Sequence, residues 1–264
     1  MSKLITSANN DAVKALARLS DSARARRKAN LMVLEGIHLI AAARDAGVLP
    51  QTLYVNEDAH AHPEVAALLA SLAGCCEVLV LARGVLGRFS ALASAPELIA
   101  LAARPQPQPA PAGACCVLLE DVQDPGNVGT ILRSAAASGV RDVYLSQGCV
   151  DVYSPKVLRA GMGAHFALSL HEGADLAALL DTFPGRRLVT HLAGAHSLYE
   201  EDLGGQVALV FGNEGAGVSD ALLARADARI LIPMPGHAES LNVAMAATVC
   251  LFERVRQRLA LQNG

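Results

Sequence analysis

Three polar, glycine-bearing segments in the second half of the chain hold the side chains best suited to chemistry. In DPGNVGTILR, Asp124-Pro125-Gly126 makes a turn and Asn127 stands where a helix N-cap belongs. Gly129 leaves the first helical turn bare, so a ligand backbone could approach closely, and Arg133 follows Asn127 by about 9 Å along the helix axis. In GNEGAGVSD, Gly212, Gly215 and Gly217 make the loop permissive around Asn213 and Glu214. In IPMPGHAESLN, Pro233, Pro235 and Gly236 lead to Ser240 and Asn242 at the start of the last helix. Taken singly, helix caps and packing glycines account for each residue. Taken together they offer hydrogen-bonding side chains, a fixed cation and approachable backbone, which is the material of a ligand site.

Other chemistries lack their residues. There is no G-x-x-x-x-G-K-[ST] to cradle phosphates and no G-x-S-x-G to present a nucleophilic serine. HEGAD at 171–175 lacks the second histidine of a zinc protease motif. GMGAHF at 161–166 has only the first two glycines of a dinucleotide fingerprint and does not follow a strand, so hydride transfer is poorly supported. The six cysteines fall as Cys75–Cys76, Cys115–Cys116, Cys149 and Cys250, with no C-x-x-C and no zinc spacing to a histidine. They read as small buried hydrophobes in a reducing compartment, and no metal site is expected.

The elements that must position these loops are strands alternating with helices. CVLLE, DVYLS, FALSL, RLVTHL, VALVFG and RILIPM read as apolar strands, with helical patterns at about 128–138, 155–162, 174–182, 219–226 and 240–260 between and after them. Such alternation implies a parallel sheet covered on both faces, whose ligands sit outside the carboxyl ends of its strands. The three segments follow CVLLE, VALVFG and RILIPM, so all lie at that end. From Leu241 to Phe252 the last helix carries no charge on any face, which predicts burial on every side. The first half alternates too: a helix with Val13, Leu16 and Leu19 on one face, LMVLEG, a helix at 37–46, TLYV, a helix at 63–72 and EVLVLA make a small α/β domain. Alternating prolines in RPQPQPAPAG favour an extended backbone, so the expected organisation is a domain at 1–103, a linker at 104–113 and a second domain at 114–264.

Composition bounds the partners. A chain of 264 residues, 52% hydrophobic and 18% charged, has material for two folded domains. With 3% aromatics and no Trp it is a poor candidate for base-stacking platforms. The net charge of −3 hides an asymmetry: residues 1–30 carry seven basic and two acidic side chains, a net of +5, leaving −8 for the rest. A basic first segment on an acidic body suggests a polyanion held at one end. The N-terminus lacks a signal-peptide pattern, and the 13 residues between Glu239 and Glu253 fall short of the roughly 20 a membrane span requires, so a soluble cytoplasmic protein is expected.

DPGNVGTILRSA, FGNEGAG and IPMPGHAESLNVAMA resemble, in order and spacing, the three motifs of the SpoU (TrmH-type) RNA 2′-O-ribose methyltransferases. The segment from KLITS to RRKANLMVLEGIHLI is similar to the ribosomal-protein-like substrate-binding domain of the ribosomal RNA members. The resemblance implies an α/β protein: a C-terminal parallel-sheet SPOUT-type domain with a deep trefoil knot, plus the small N-terminal α/β substrate-binding domain. It implies S-adenosylmethionine bound in the knot by Gly212, Asn213, Gly217, Ile232, Met234 and Leu241, and no metal. Arg133 would act on the ribose 2′-hydroxyl; a guanidinium with a pKa above about 12 is better suited to orient the hydroxyl and stabilise alkoxide than to act as a base. Asn127 would fix the first loop, Glu214 would shape the second, and Ser240 and Asn242 would align ribose or phosphate. Arg24, Arg26, Arg27 and Lys28 would grip RNA phosphates. The implied substrate is large-subunit (23S) ribosomal RNA and the implied assembly a homodimer, with transfer RNA as the alternative substrate and a non-catalytic ribosome-assembly factor as the alternative class.

Overall fold

The computed structural model describes residues 4–88, 96–108 and 115–262, and its strands form two sheets. The chain divides into one unit of Met1–Pro105 with Tyr153–Phe166 and another of Gln106–Val152 with Ala167–Gly264. Of the expected linker, residues 104–108 are described and 109–113 lie outside the described residues.

The first unit contains β1 (Leu4–Ile5), α1 (Asp11–Asp21), α2 (Ala23–Ala29), β2 (Leu31–Glu35), α3 (Ile37–Asp45), β3 (Pro50–Asn56), α4 (Pro63–Ser71), β4 (Glu77–Leu81) and β5 (Leu98–Ala103). Its sheet runs β1-β4-β3-β5-β2, with β5 antiparallel to both neighbours. The sequence LIALAA gave no strand signal because alanine and leucine favour helix; it is a strand because five of its six residues are buried in the sheet. The basic segment is two helices. Ser22 closes α1 by donating its N–H to the Arg18 carbonyl and opens α2 by accepting from the Ala25 N–H. At the far end of α2, Asn30 takes a left-handed conformation at φ 53°, a frequent helix stop.

The second unit carries β6 (Cys116–Leu119), α5 (Pro125–Ala137) and β7 (Asp142–Leu145), and the chain then gives α6 (Pro155–Gly161) to the first unit. There Arg159 donates to the buried Glu35 carboxylate at 2.7 Å. The second unit resumes with β8 (Ser169–Glu172), α7 (Leu176–Thr182), β9 (Arg186–Thr190), β10 (His196–Ser197), β11 (Val207–Phe211), α8 (Asp220–Leu223), β12 (Ala228–Leu231) and α9 (Val243–Gln262). β8 starts later than FALSL suggested, because Ala164–Phe166 is a 3-10 turn.

All seven strands are parallel in the order β10-β12-β9-β11-β6-β7-β8, as an α/β fold with a parallel sheet demands. The chain runs outward from β6 through β7 and β8, crosses to β9, and brings β11 back beside β6. β6 and β11 therefore flank the point where strand order reverses, where a crevice opens at the carboxyl ends. The expectation of a last helix buried all round is corrected. Ala244, Ala247, Cys250 and Leu251 are buried, but Met245, Phe252 and Leu259 are about half exposed at seven-residue intervals. α5 and the sheet cover one side of α9 only, and lack of charge does not bury a face that no element packs against.

Candidate active site

The first loop differs from its sequence reading in one decisive detail. The N-cap of α5 is Asp124, whose carboxylate accepts from the Asn127 N–H at 2.8 Å, and Pro125 occupies the first helical turn, where its missing N–H costs nothing. Asn127 is therefore not the cap, and its amide is free for longer-range bonds. It donates to Glu214 Oε1 at 2.9 Å and accepts from Asn242 Nδ2 at 2.9 Å. One side chain thus joins the loops that follow β6, β11 and β12.

Glu214 anchors this junction. Besides the Asn127 amide, it accepts the Asp124 N–H at 3.2 Å and the Gln123 N–H at 3.3 Å. Desolvation pushes its carboxyl up, but these donors outweigh it and hold the group below the usual carboxylate range. Asn213 shapes the rest of the second loop: its Oδ1 accepts from the N–H groups of Gly215 (2.9 Å) and Ala216 (3.0 Å), and its Nδ2 donates to the Asp121 carbonyl at 2.8 Å. The backbones of Asn213 and Gly217 exchange N–H···O bonds of 3.0 and 2.9 Å, closing the loop on itself. This closure explains Gly212, where a Cβ would come closer than 3.0 Å to the backbone of Gly217 and Val218. Asn242 caps α9 as well, its Oδ1 accepting from Ala244 N–H (2.9 Å) and Met245 N–H (3.3 Å).

Beside this junction lies a cleft of about 520 Å³. All six residues expected to hold a cofactor line it: Gly212, Asn213, Gly217, Ile232, Met234 and Leu241. Glu214, Ser240 and Asn242 line it too. Cys250 contributes to the floor; burial pushes its thiol up to about 12, so it is neutral and acts as an apolar surface. Thr190, His191 and Leu192 form a further wall that the sequence reading missed. Thr190 ends β9 and His191 and Leu192 directly follow it, so the carboxyl-end rule that located the other loops applied to them equally. Among the described residues no group of three or more His, Cys, Asp or Glu could hold a metal ion.

Two expected site groups lie elsewhere. Arg133 is exposed on α5 and is not part of this cleft's lining, and its side chain has no hydrogen bond or ion pair among the described residues. In the first unit, Arg24, Arg27 and Lys28 are exposed on α2. Arg26 corrects the expectation of an RNA contact. It is 3% exposed, and its Nη1 donates to the carbonyls of Leu19 (2.7 Å) and Ser20 (2.9 Å), tying α2 to the end of α1. Its charge neutralises α1's terminal carbonyls instead of facing solvent.

Residues 114–252 match the model of the SpoU rRNA methylase family, and residues 10–100 match that of the MRM3-like substrate binding domain. A Synechocystis protein named as a tRNA/rRNA methyltransferase is 33% identical over 97% of this chain and 94% of its own. The 23S rRNA (guanosine(2553)-2′-O)-methyltransferase of Bacillus subtilis is 30% identical over 95% of this chain and 98% of its own. Among solved structures, the SpoU methyltransferase AviRb of Streptomyces viridochromogenes, in complex with AdoMet, superposes with a TM-score of 0.87 at 27% identity, covering 96% of this chain and 99% of that one.

Proposed function

The chain belongs to the SpoU rRNA methylase family, and from that premise we propose that it transfers a methyl group from S-adenosylmethionine to a ribose 2′-hydroxyl of large-subunit ribosomal RNA. The observation that carries this reading is the Glu214–Asn127–Asn242 junction, which draws three loops together beside a cleft of backbone and aliphatic wall. The wall fits the cofactor: the tight loop behind Gly212 leaves backbone as the contact surface, the floor is apolar, and the one carboxylate is held charged. When bound, the cofactor supplies a sulfonium methyl as electrophile, so the reaction calls for no metal.

This chain's residues then have divided tasks. Glu214 and Asn127 hold the loops in register, Gly212, Asn213, Gly217, Ile232, Met234 and Leu241 bound the cofactor's space, and Ser240 and Asn242 stand on the third loop to align ribose or phosphate. Arg133 orients the 2′-hydroxyl and stabilises developing negative charge, a role its permanent cation suits. Because Arg133 is absent from its own chain's cleft lining, we assign it to the cleft of a second copy in a homodimer. The exposed Met245, Phe252 and Leu259 stripe on α9 supports such an assembly. Ser134 Oγ and Thr248 Oγ1 lie 2.7 Å apart and join α5 to α9, and the trefoil knot of the last segment is proposed from family membership alone. Arg24, Arg27 and Lys28 are the phosphate contacts of the substrate-binding domain at 1–103, with 104–113 as linker and 114–264 as catalytic domain. No described helix is long and apolar enough to cross a membrane, and the cytoplasm, where ribosomal RNA is found, is the proposed location.

Arg133→Ala is expected to abolish methyl transfer to ribosomal RNA while calorimetric binding of S-adenosylhomocysteine persists. Mixing Arg133→Ala subunits with cleft-defective subunits tests the assignment across the dimer, and about a quarter of wild-type activity should return. Full activity of Arg133→Ala, or no recovery on mixing, refutes the respective role.

A further inference from the structure

We propose that His191 binds the carboxylate of the methyl donor, an inference that rests on the reading of the cleft as the S-adenosylmethionine site. The carboxylate is the donor's one anionic group, and an anion entering a cleft of aliphatic and backbone wall needs a hydrogen-bond donor, best a cationic one. Among the described residues lining the cleft, His191 alone has a side chain able to carry positive charge. Glu214 alone carries negative charge, so the carboxylate is repelled from the second loop. The remaining polar side chains are engaged within the fold. Thr190 Oγ1 donates to the Val210 carbonyl, Asn213 to Asp121, and Asn242 to Asn127. Ser240, on the third loop, offers only a neutral hydroxyl.

The turn after β9 is built to hold the imidazole. Nδ1 lies 3.1 Å from the Ala193 N–H nitrogen and 3.0 Å from the Ala193 carbonyl oxygen. A neutral ring accepts from that N–H; a protonated ring donates to that carbonyl. In both states Nε2 carries a hydrogen, and an anion against Nε2 selects them over the tautomer whose Nε2 is a bare acceptor. Arg229 on β12 brings Nη1 to 3.4 Å from the same Ala193 carbonyl, so a permanent cation stands behind the turn. Its charge attracts an anion to this wall whichever state the imidazole holds.

The test is calorimetric titration of the full chain with two ligands: S-adenosylhomocysteine, which keeps the amino-acid end, and 5′-methylthioadenosine, which lacks it. His191→Ala should weaken S-adenosylhomocysteine by about ten- to a hundredfold, the range for a hydrogen bond to a charged group, and leave 5′-methylthioadenosine within about twofold. His191→Gln, which retains an N–H donor, should recover part of the loss. Should His191→Ala fold poorly, His191→Leu gives the same comparison with the space filled. Unchanged S-adenosylhomocysteine affinity, or equal weakening of both ligands, overturns the assignment to the carboxylate. Failure of the wild-type chain to bind either ligand overturns the cofactor reading of the cleft, and this inference with it.

Discussion

Gly212→Ala should cost this protein its proposed cofactor site while leaving the rest of the fold standing. The added methyl would lie closer than 3.0 Å to the carbonyl carbon and oxygen of Gly217 and to the Val218 nitrogen, where ordinary contact is 3.4–4 Å. These are backbone atoms, so no flexible side chain can swing away, and the 213–217 loop must shift by about 1 Å to restore ordinary contact. The shift breaks or stretches the paired Asn213–Gly217 bonds of 3.0 and 2.9 Å. At about 0.5–1.5 kcal/mol net for each, destabilisation comes to about 1–3 kcal/mol. For a domain of this size each kcal/mol lowers Tm by about 2–4 °C. The same shift moves the wall formed by Asn213, Glu214 and Gly217, so S-adenosylhomocysteine affinity should fall at least about tenfold, the factor that 1.4 kcal/mol represents. Gly215→Ala is the control in the same loop: its Cβ would meet only Asn213 Oδ1 at 3.6 Å, an ordinary contact. Calorimetry and thermal melts of both variants decide the matter. If Gly212→Ala binds and melts like wild type, the close approach is not what fixes glycine there; if Gly215→Ala fails equally, loop flexibility is the cause.

Glu214 gives a pH signature. Its folded pKa is depressed, so the hold on Asn127 and on the Gln123 and Asp124 amides is complete above the ordinary carboxylate value of 4.5 and lost as pH falls through the lower folded value. Ligand binding followed downward from pH 7 should not weaken before that range and should then drop, while Glu214→Gln is weaker at neutral pH and shows no such drop; a decline beginning near pH 6 contradicts the assignment. On α2, Arg26→Ala should lower stability by about 2 kcal/mol in denaturant melts, whereas Arg24→Ala, at an exposed position, should spare stability and reduce the log–log salt slope of RNA binding by about 0.7–0.9. Phe252→Lys, placed in the middle of the exposed α9 stripe, should halve the mass seen by light scattering; a dimer that survives it has its interface elsewhere.

The site was legible where chain topology alone decides position. Carboxyl ends of parallel strands lie together whatever the side chains, so the loops after CVLLE, VALVFG and RILIPM could be placed side by side from their order, and the 190–192 wall was accessible to the same rule. Three features were not legible, each because a neighbour distant in sequence decides it. LIALAA becomes a strand through its pairing with β2 and β3, against its local preference for helix. Arg26 is removed from the surface by the carbonyls of Leu19 and Ser20, which charge counting along the chain does not see. The exposed side of α9 depends on how far α5 reaches around it, a packing fact with no counterpart in hydropathy.

Asn127 shows why the cap and the junction had to be told apart. Asn and Asp are nearly interchangeable as helix caps, so composition does not say which of Asp124 and Asn127 ends the turn. Proline breaks the tie: Pro125 is favoured in the first helical turn, which makes its predecessor Asp124 the cap and sets Asn127 two residues into the helix. There the amide serves both sides, donating to a carboxylate from its nitrogen and accepting from an amide at its oxygen. An aspartate at 127 would place a second negative charge against Glu214, and an alanine would leave that carboxylate only its backbone donors. Glu214 in turn, occupied by three donors and held ionised, is unsuited to exchange protons with a ribose hydroxyl at neutral pH. The bonding leaves the carboxylate of the second loop to keep the geometry, and under the proposed function activation of the hydroxyl falls to a group outside the junction, for which Arg133 is the proposed cation, its side chain having no other engagement among the described residues.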